Sequence, residues 1–330
     1  MGPRPAVAQV RRAVRTSLAT SVRELTTAKV LVACSGGADS LALAAAVAFE
    51  APRVDVAAGL ITVDHGLQDG SAARAAEVAA IGRELGLDPV RVVRVEVGGP
   101  GGPEAAARRA RYGALTEAAE ALDAQVLLGH TRDDQAETVL LGLGRGSGPR
   151  SIAGMLPASG RYLRPLLAIS RQTTRAACDA LGLSPWDDPH NADPRFRRVR
   201  IRHELLPLAE DVLGGGVAAA LARTAQQLRQ DLDALDALAA AEVSRRRTEA
   251  GGLSGLAGLA TSPVAIRSRV LRGWALAGGV PHLFAAQLDA LDALVVGWHG
   301  QGPCQLPGGF QAVRSSGTLM LLPPSTASGE

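Results

Sequence analysis

Residues 31–40 read LVACSGGADS. An apolar run ends at Ser35, two glycines follow, and an acid stands between an alanine and a serine. Small, flexible backbone between a strand and a helix lets successive N–H groups turn toward one anion. Gly36 and Gly37 permit the tight fold, Ser35 and Ser40 add hydroxyl donors, and the helix that begins near Asp39 adds its positive end. The lysine of a Walker A loop is missing, and the donors fit a pyrophosphate. Asp39 beside phosphate oxygens is repulsive. It makes sense either with Mg²⁺ between them or as the cap of its own helix.

On both sides of this loop, strand-like and helix-like segments alternate. KVLVA (29–33), VDVAAGLITV (54–63), VRVVRVEV (90–97) and AQVLLG (124–129) predict short strands. SLALAAAVAFE, AARAAEVAAIGRELG and EAAARRARYGALTEAAEAL between them predict helices. The alternation predicts an α/β fold, a parallel sheet covered by helices on both faces, with ligands beyond the carboxyl ends of the strands. A glycine-rich loop follows at 144–154, then one more strand-like piece, YLRPLL (162–167), and a helix from about Ser170 to Leu183. After the triple glycine 214–216 the pattern becomes mostly helical. One long amphipathic helix carries Leu221, Leu228, Leu232, Leu235 and Leu238, and two more lie near 263–277 and 281–297. The end predicts a hairpin or meander turning at Gly308–Gly309 and Ser316–Gly317. These shifts set a catalytic domain at 1–214 and a smaller, mostly helical domain at 215–330.

Composition agrees with a globular protein: 330 residues, 47% hydrophobic, 20% charged and 3% aromatic. No apolar run reaches the roughly 18 residues of a membrane span, and the first two dozen residues lack the apolar block of a secretory signal. Cys34, Cys178 and Cys304 lie far apart, which suits a reducing cytoplasm and argues against a zinc knuckle or disulfide framework. The net charge of +3 permits an RNA partner without requiring one. Lys29 is the single lysine, so nearly every cation is a planar guanidinium fork suited to phosphate and carboxylate.

Three further stretches carry chemistry. GHTRDDQAET (129–138) leaves the fourth strand. If a helix starts near Arg132, then Asp133, Asp134 and Glu137 gather within one turn, with His130 just before them. Carboxylates this close repel unless a metal ion or a bound amine sits among them. Arg108 and Arg111 are one helical turn apart, so both can face the site while Arg109 points elsewhere. RFRRVRIR packs Arg195, Arg197, Arg198, Arg200 and Arg202 into eight residues (195–202), suited to a polyanion.

The SGGADS loop resembles the PP-loop of the ATP pyrophosphatases that cleave ATP between the α and β phosphates. With TVDHGLQ (62–68), EAAARRARY (104–112), GHTRDDQAET and NADPRFRRVRIRHELLP (191–207), residues 29 to about 208 resemble the tRNA(Ile)-lysidine synthetase family in order and spacing. The resemblance implies a carbon–nitrogen ligase that uses ATP and Mg²⁺ to join free L-lysine to the wobble cytidine of tRNA(Ile) with a CAU anticodon, through an adenylated base. It implies ATP binding by Ser35, Gly36, Gly37, Ala38, Asp39, Ser40 and Asp64, and metal binding by Asp39 and Asp133. Catalytic roles then fall to Asp39, Arg108, Arg111, His130, Asp133, Asp134, Glu137 and Arg202. Arg195, Arg197, Arg198 and Arg200 take the tRNA, and Asn191 and Asp193 position. His65 stands equally as a nucleotide neighbour and as a structural histidine. Glu104, Ala107, Arg108, Arg111 and Tyr112 match the family pattern, whereas Val199 stands where the family commonly has asparagine. The arginines at 245–247 and Arg267, Arg269 and Arg272 are expected to add to tRNA recognition. Two rivals are a tRNA thiolation enzyme of the same superfamily, which needs accessible cysteines, and a non-catalytic tRNA-binding protein that senses nucleotide. The apolar helices leave room for a homodimer.

Overall fold

The structure, a computed structural model, describes residues 4–24, 29–66, 68, 70–100, 102–146, 148–189 and 193–324. Asn191 and Leu67 lie outside the described residues, as does the side chain of Glu104. The chain divides into two compact units, Met1–Gln226 and Gln227–Glu330.

The first unit opens with helix α1 (Pro5–Glu24), which buries Val7, Val10, Val14 and Leu18, a stripe at helical spacing. Strand β1 (Lys29–Ala33) leads into α2 (Ala38–Glu50), β2 (Ala57–Asp64), α3 (Ser71–Glu84), β3 (Val90–Arg94), α4 (Gly102–Leu122), β4 (Gln125–Leu128) and α5 (Arg132–Arg145). A short α6 (Pro149–Ile152) stands inside the glycine-rich stretch. It is followed by the hairpin β5 (Ala158–Ser159) and β6 (Tyr162–Leu163), then α7 (Arg171–Leu181). The sheet order is β3-β2-β1-β4-β6-β5, with parallel pairing throughout except for the β5–β6 edge.

Period-2 alternation places the helices. Val30 and Val32 face a core shared with Val10, Leu41, Val47 and Cys178 of α1, α2 and α7. Leu31 turns to the opposite face, against Leu115, Ala118 and Ala119 of α4. The parallel sheet covered on both faces is thus present. Two details differ from the sequence reading. Residues 51–54 form a 3₁₀ turn ending at Asp55 (φ +54°), so β2 starts at Ala57 rather than Val54. The strand in YLRPLL ends at Leu163, because Pro165 has no N–H for a ladder. Cys34 sits one residue past β1, although its N–H still reaches Ile61 O at 2.9 Å.

Beyond α7, α8 (Arg197–Arg200) passes through one π-helical turn, Ile201–Leu205, into α9 (Leu206–Val212). Helix α10 (Val217–Arg246) follows Gly214–Gly216, and its N-terminus is capped by Glu210, whose carboxylate accepts from the N–H groups of Val217 and Ala218 at 3.0 Å. Ala225, Leu232 and Ala239, seven residues apart, are its buried positions, while Leu238 is exposed.

The second unit closes around Trp274, Leu253, Leu271 and Leu291. It comprises the end of α10, then α11 (Leu256–Ala260), α12 (Val264–Ala277), α13 (Ala285–Val296) and a three-stranded meander, β7 (Cys304–Gln305), β8 (Gln311–Ser315) and β9 (Thr318–Leu322). Its arginines mostly serve this fold. Arg267 is buried, forks onto Asp292 and donates to Ser262 O at 2.9 Å. Arg269 pairs with Asp236, Arg245 and Arg246 with Glu242, and Arg272 donates to Leu283 O. Arg267 is therefore not available to a polyanion, contrary to the sequence expectation. No single helix among the described residues is long and apolar enough to cross a membrane.

Candidate active site

From β1 the sheet grows outward to β2 and β3 on one side and to β4 and β6 on the other. A crevice forms at such a reversal, above the carboxyl ends of the two diverging strands. Residues 34–37 leave β1 here and residues 129–131 leave β4. Gly129 lets them meet: a Cβ on it would stand 3.1 Å from the Asp39 carbonyl carbon and from Ser40 N and Cα. Gly36 takes φ +85°, and a Cβ there would stand 2.8 Å from Val78 Cγ2.

The loop is folded by its own serine. Ser40 Oγ donates to Gly37 O at 2.9 Å and accepts the Ser35 N–H at 3.2 Å. The Ser40 hydroxyl is therefore buried in the loop and not turned outward as a ligand donor, whereas Ser35 is exposed. The first bond inside α2 runs from Leu41 N–H to Gly37 O. The N–H groups of Ala38, Asp39 and Ser40 thus have no intrahelical acceptor and are free for an anion. From the other side the Trp186 N–H braces Gly36 O at 2.9 Å.

Around Asp39 the crevice is acidic and saturated. Thr174 Oγ1 donates to one Asp39 oxygen, and Arg171 Nε lies 3.5 Å from the other. Arg171 also reaches Asp134 Oδ1 at 2.8 Å and Glu137 Oε1 at 3.3 Å. Arg202, on the π-helical turn, meets Glu137 Oε1 at 2.8 Å and Asp134 Oδ1 at 3.4 Å. Asp134 Oδ2 accepts the N–H and hydroxyl of Thr131, both at 2.8 Å, the reciprocal half of a helix cap. Asp133 points to α7, taking the Arg171 backbone N–H at 2.9 Å. The charge that three clustered carboxylates require is thus supplied by two guanidiniums. Burial pushes the Asp39 carboxyl up, and Asp134 adds to this against the pull of Thr174 and Arg171. Burial would also raise Asp134, but Arg171 and the Thr131 donors outweigh it and hold that carboxyl below its ordinary value.

Across the same crevice lies a basic group without a carboxylate partner among the described residues. Arg111 is half-buried, and its contact is the Tyr112 ring, 5.7 Å from the guanidinium carbon to the ring centroid. Burial lowers its pKa, and repulsion from Arg108 and Arg198 adds to this. Exposed Arg108 lies over the same ring at 4.9 Å. Arg109 does point elsewhere, onto Pro100 O. Burial pushes the His130 imidazole down to about 4, with Arg164, Arg111 and Arg198 helping and Asp134 opposing. Burial and Arg111 likewise lower His65. The Nδ1 atoms of both histidines are buried without a partner among the described residues. Asp64 closes its own turn: donors from Ser71 and Gly66 hold it below its ordinary value, Gly66 N–H at 2.9 Å.

The four predicted tRNA arginines separate. Arg195 and Arg200 fork onto Asp193 and Glu204 at the surface, Arg197 is exposed without a partner among the described residues, and Arg198 turns inward to Thr138 Oγ1 at 3.1 Å. Buried Val199 packs without needing the hydrogen bond an asparagine would make. Sequence reading missed Arg171, Thr174 and Thr131. One signal for Arg171 was present: a cation in the first turn of a Ser-capped helix opposes the helix dipole, so an anion must lie near it.

Two family models match this chain. A PP-loop domain matches residues 10–209, and a TilS substrate binding domain matches residues 255–320. The chain is 56% identical to the tRNA(Ile)-lysidine synthase of Salinispora tropica, covering 97% of each chain. It is 54% identical to that of Streptomyces coelicolor, over 97% of this chain and 99% of the other. The chain belongs to the tRNA(Ile)-lysidine synthase family. The fold is also that of the U34-tRNA thiolase NcsA from Methanococcus maripaludis, with a TM-score of 0.55 at 18% identity over 68% of this chain and 78% of the other. For this family member the crevice between β1 and β4 is the candidate site of ATP chemistry.

Proposed function

We propose that the protein joins free L-lysine to carbon 2 of the wobble cytidine in tRNA(Ile) with a CAU anticodon, using ATP and releasing AMP and pyrophosphate. The names of its full-length relatives support this. The observation that carries it is the meeting, in one crevice, of a phosphate loop, an acidic cluster able to take an ammonium group and a basic group, Arg111, without a carboxylate partner among the described residues.

The triphosphate lies against Ser35 and the N–H groups of residues 38–40. Asp39 suits Mg²⁺, since each of its oxygens has one protein partner and magnesium is commonly held by one or two carboxylates with phosphates and waters. Asp133 has its second oxygen for the same ion. When bound, Mg²⁺ supplies positive charge against the phosphates. The carbonyl oxygen at carbon 2 of the unstacked cytidine attacks the α-phosphorus, and the bond to the bridging oxygen breaks as pyrophosphate leaves. Arg108, Arg111 and Arg198 face the negative charge that develops there. The lysine ε-nitrogen then attacks carbon 2, the bond from that carbon to the adenylate oxygen breaks, and AMP leaves. The ammonium group takes a place among Asp134 and Glu137 by displacing Arg171, and its proton passes to Asp134, Glu137 or His130. Arg197 and the second unit hold the tRNA. Exposed Leu205, Leu208, Val212 and Leu213 support a homodimer, and the reaction takes place in the cytoplasm.

Against the thiolation reading, Cys34 and Cys178 are buried; burial raises the Cys34 thiol and pushes Cys178 up to about 12. Incorporation of radiolabelled lysine into a tRNA(Ile) transcript, dependent on ATP and lost in Asp39→Ala, tests the proposal. Absence of label with the intact protein, or sulfur transfer that disappears when the three cysteines become serine, overturns it.

A further inference from the structure

The first unit holds a second basic feature that the reaction does not use. Helix α2 starts at the phosphate loop and ends at Glu50, 13 residues later, so its far end lies about 20 Å from the loop at 1.5 Å per residue. At that end is a cavity of about 380 Å³ lined by Arg11, Arg12, Arg15, Arg53, Phe49 and Glu50, with Ala8. Four guanidiniums thus share one opening with a single carboxylate. That carboxylate is fully buried and forked by Arg15 at 2.8 and 2.9 Å. Arg12 is exposed and has no partner among the described residues. Arg11 and Arg53 lie 3.4 and 3.6 Å from the centroid of the Phe49 ring. Two guanidiniums that close to one centroid must cover opposite faces. Arg53 also donates one Nη1–H to Phe49 O; stacking leaves the remaining in-plane donors of both guanidiniums pre-oriented and able to bind an anion.

We propose that this cavity is a phosphate-backbone docking site for the RNA substrate, remote from the reaction centre. This rests on the RNA-modifying reading above. The shape of the charge favours a strand over a compact anion. Arg4, the residue before α1, and Arg11 and Arg15 within it follow at helical spacing and span about 16 Å. The sequence of α1 from Pro5 to Thr20 contains no acid. A row of cations of this length matches successive phosphates along a backbone. Such contacts position the RNA without reading its sequence.

The test is equilibrium binding of a tRNA transcript by the full chain across a salt series, without ATP or lysine, so that it fails independently of the ligation reading. Arg12→Gln with Arg53→Gln leaves the Arg15–Glu50 pair intact. The expected result is a five- to tenfold weaker Kd near physiological salt. The slope of log K against log salt should fall by about 0.7–0.9 for each charge removed. Arg12→Lys should keep the wild-type slope. If the double variant does not fold, Arg12→Glu at its exposed position gives the same readout more strongly. An unchanged Kd and slope overturns the proposal. So does an unchanged RNA slope combined with loss of thermal stabilisation by inorganic tripolyphosphate, which would assign the cavity to a free polyanion.

Discussion

The two sides of the crevice contrast in how their charges are met. Around Asp39, Asp134 and Glu137 every carboxylate already has a guanidinium, a hydroxyl or a backbone donor. Around Arg111, His65 and His130, two imidazole nitrogens and a half-buried guanidinium have no such partner among the described residues. Saturated ionic networks contribute to the fold, and removing one member leaves another charge unpaired. Unsatisfied polar groups destabilise the fold and persist where a ligand completes them. On the proposed reading, the acidic side serves both fold and chemistry, and the basic side serves chemistry alone.

Glu137 should break the contrast hardest. Its side chain is fully buried between Arg171 and Arg202. Glu137→Ala is expected to cost about 3–5 kcal/mol in denaturant unfolding and to abolish lysine incorporation. If stability stayed within 1 kcal/mol of wild type, the acidic side would have no structural role. Arg111→Met should behave in the opposite way. It removes a cation with no counter-ion among the described residues and keeps apolar bulk, so unfolding stability should rise by about 1 kcal/mol. Turnover should nonetheless fall about 10²–10³-fold, the usual consequence of removing a group that stabilises developing charge. Loss of stability together with loss of turnover would place Arg111 with the fold.

His130 sharpens the same comparison through pH. Its imidazole titrates near 4 in the folded protein, below its ordinary value of 6.5, so between these limits the unfolded chain binds more protons. The stability it contributes is fully present above pH 6.5 and is lost as pH falls toward 4, by up to about 3 kcal/mol. His130→Gln should flatten the stability profile in that window. A profile as steep as wild type's would mean that other groups set the acid limit.

The sequence made some of this geometry legible. Ser35–Ser40 and the start of α5 were readable because glycine pairs, caps and carboxylate spacing are local signals, and the strand alternation placed both at one sheet edge. Arg171 carried one local signal, a cation at a helix start, but its partners were not readable: it lies 34 residues beyond Glu137, and only the packing of α7 against α2 brings it to Asp39. Arg202 was named from resemblance, but its approach to Glu137 depends on a π-helical turn that no propensity encodes. The arginines of the second unit misled because a basic helix face looks the same whether solvated or paired, and Asp292 lies 25 residues from Arg267.

The smallest expected effect extends the contrast to the surface arginines. Arg200 is forked by Glu204 one turn away, and Arg197 has no carboxylate partner among the described residues. An exposed pair contributes about 0–1 kcal/mol, so neither Arg197→Gln nor Arg200→Gln should measurably change stability. RNA binding should separate them. Arg197 is free to displace counter-ions, so its loss should lower the salt slope of binding by nearly a full phosphate contact, about 0.7–0.9. Arg200 must first leave Glu204, and its loss should change the slope by less than half as much. Equal slopes for the two variants would show that the Glu204 pair opens freely when RNA arrives, and that static pairing at this surface does not predict which arginine meets a phosphate.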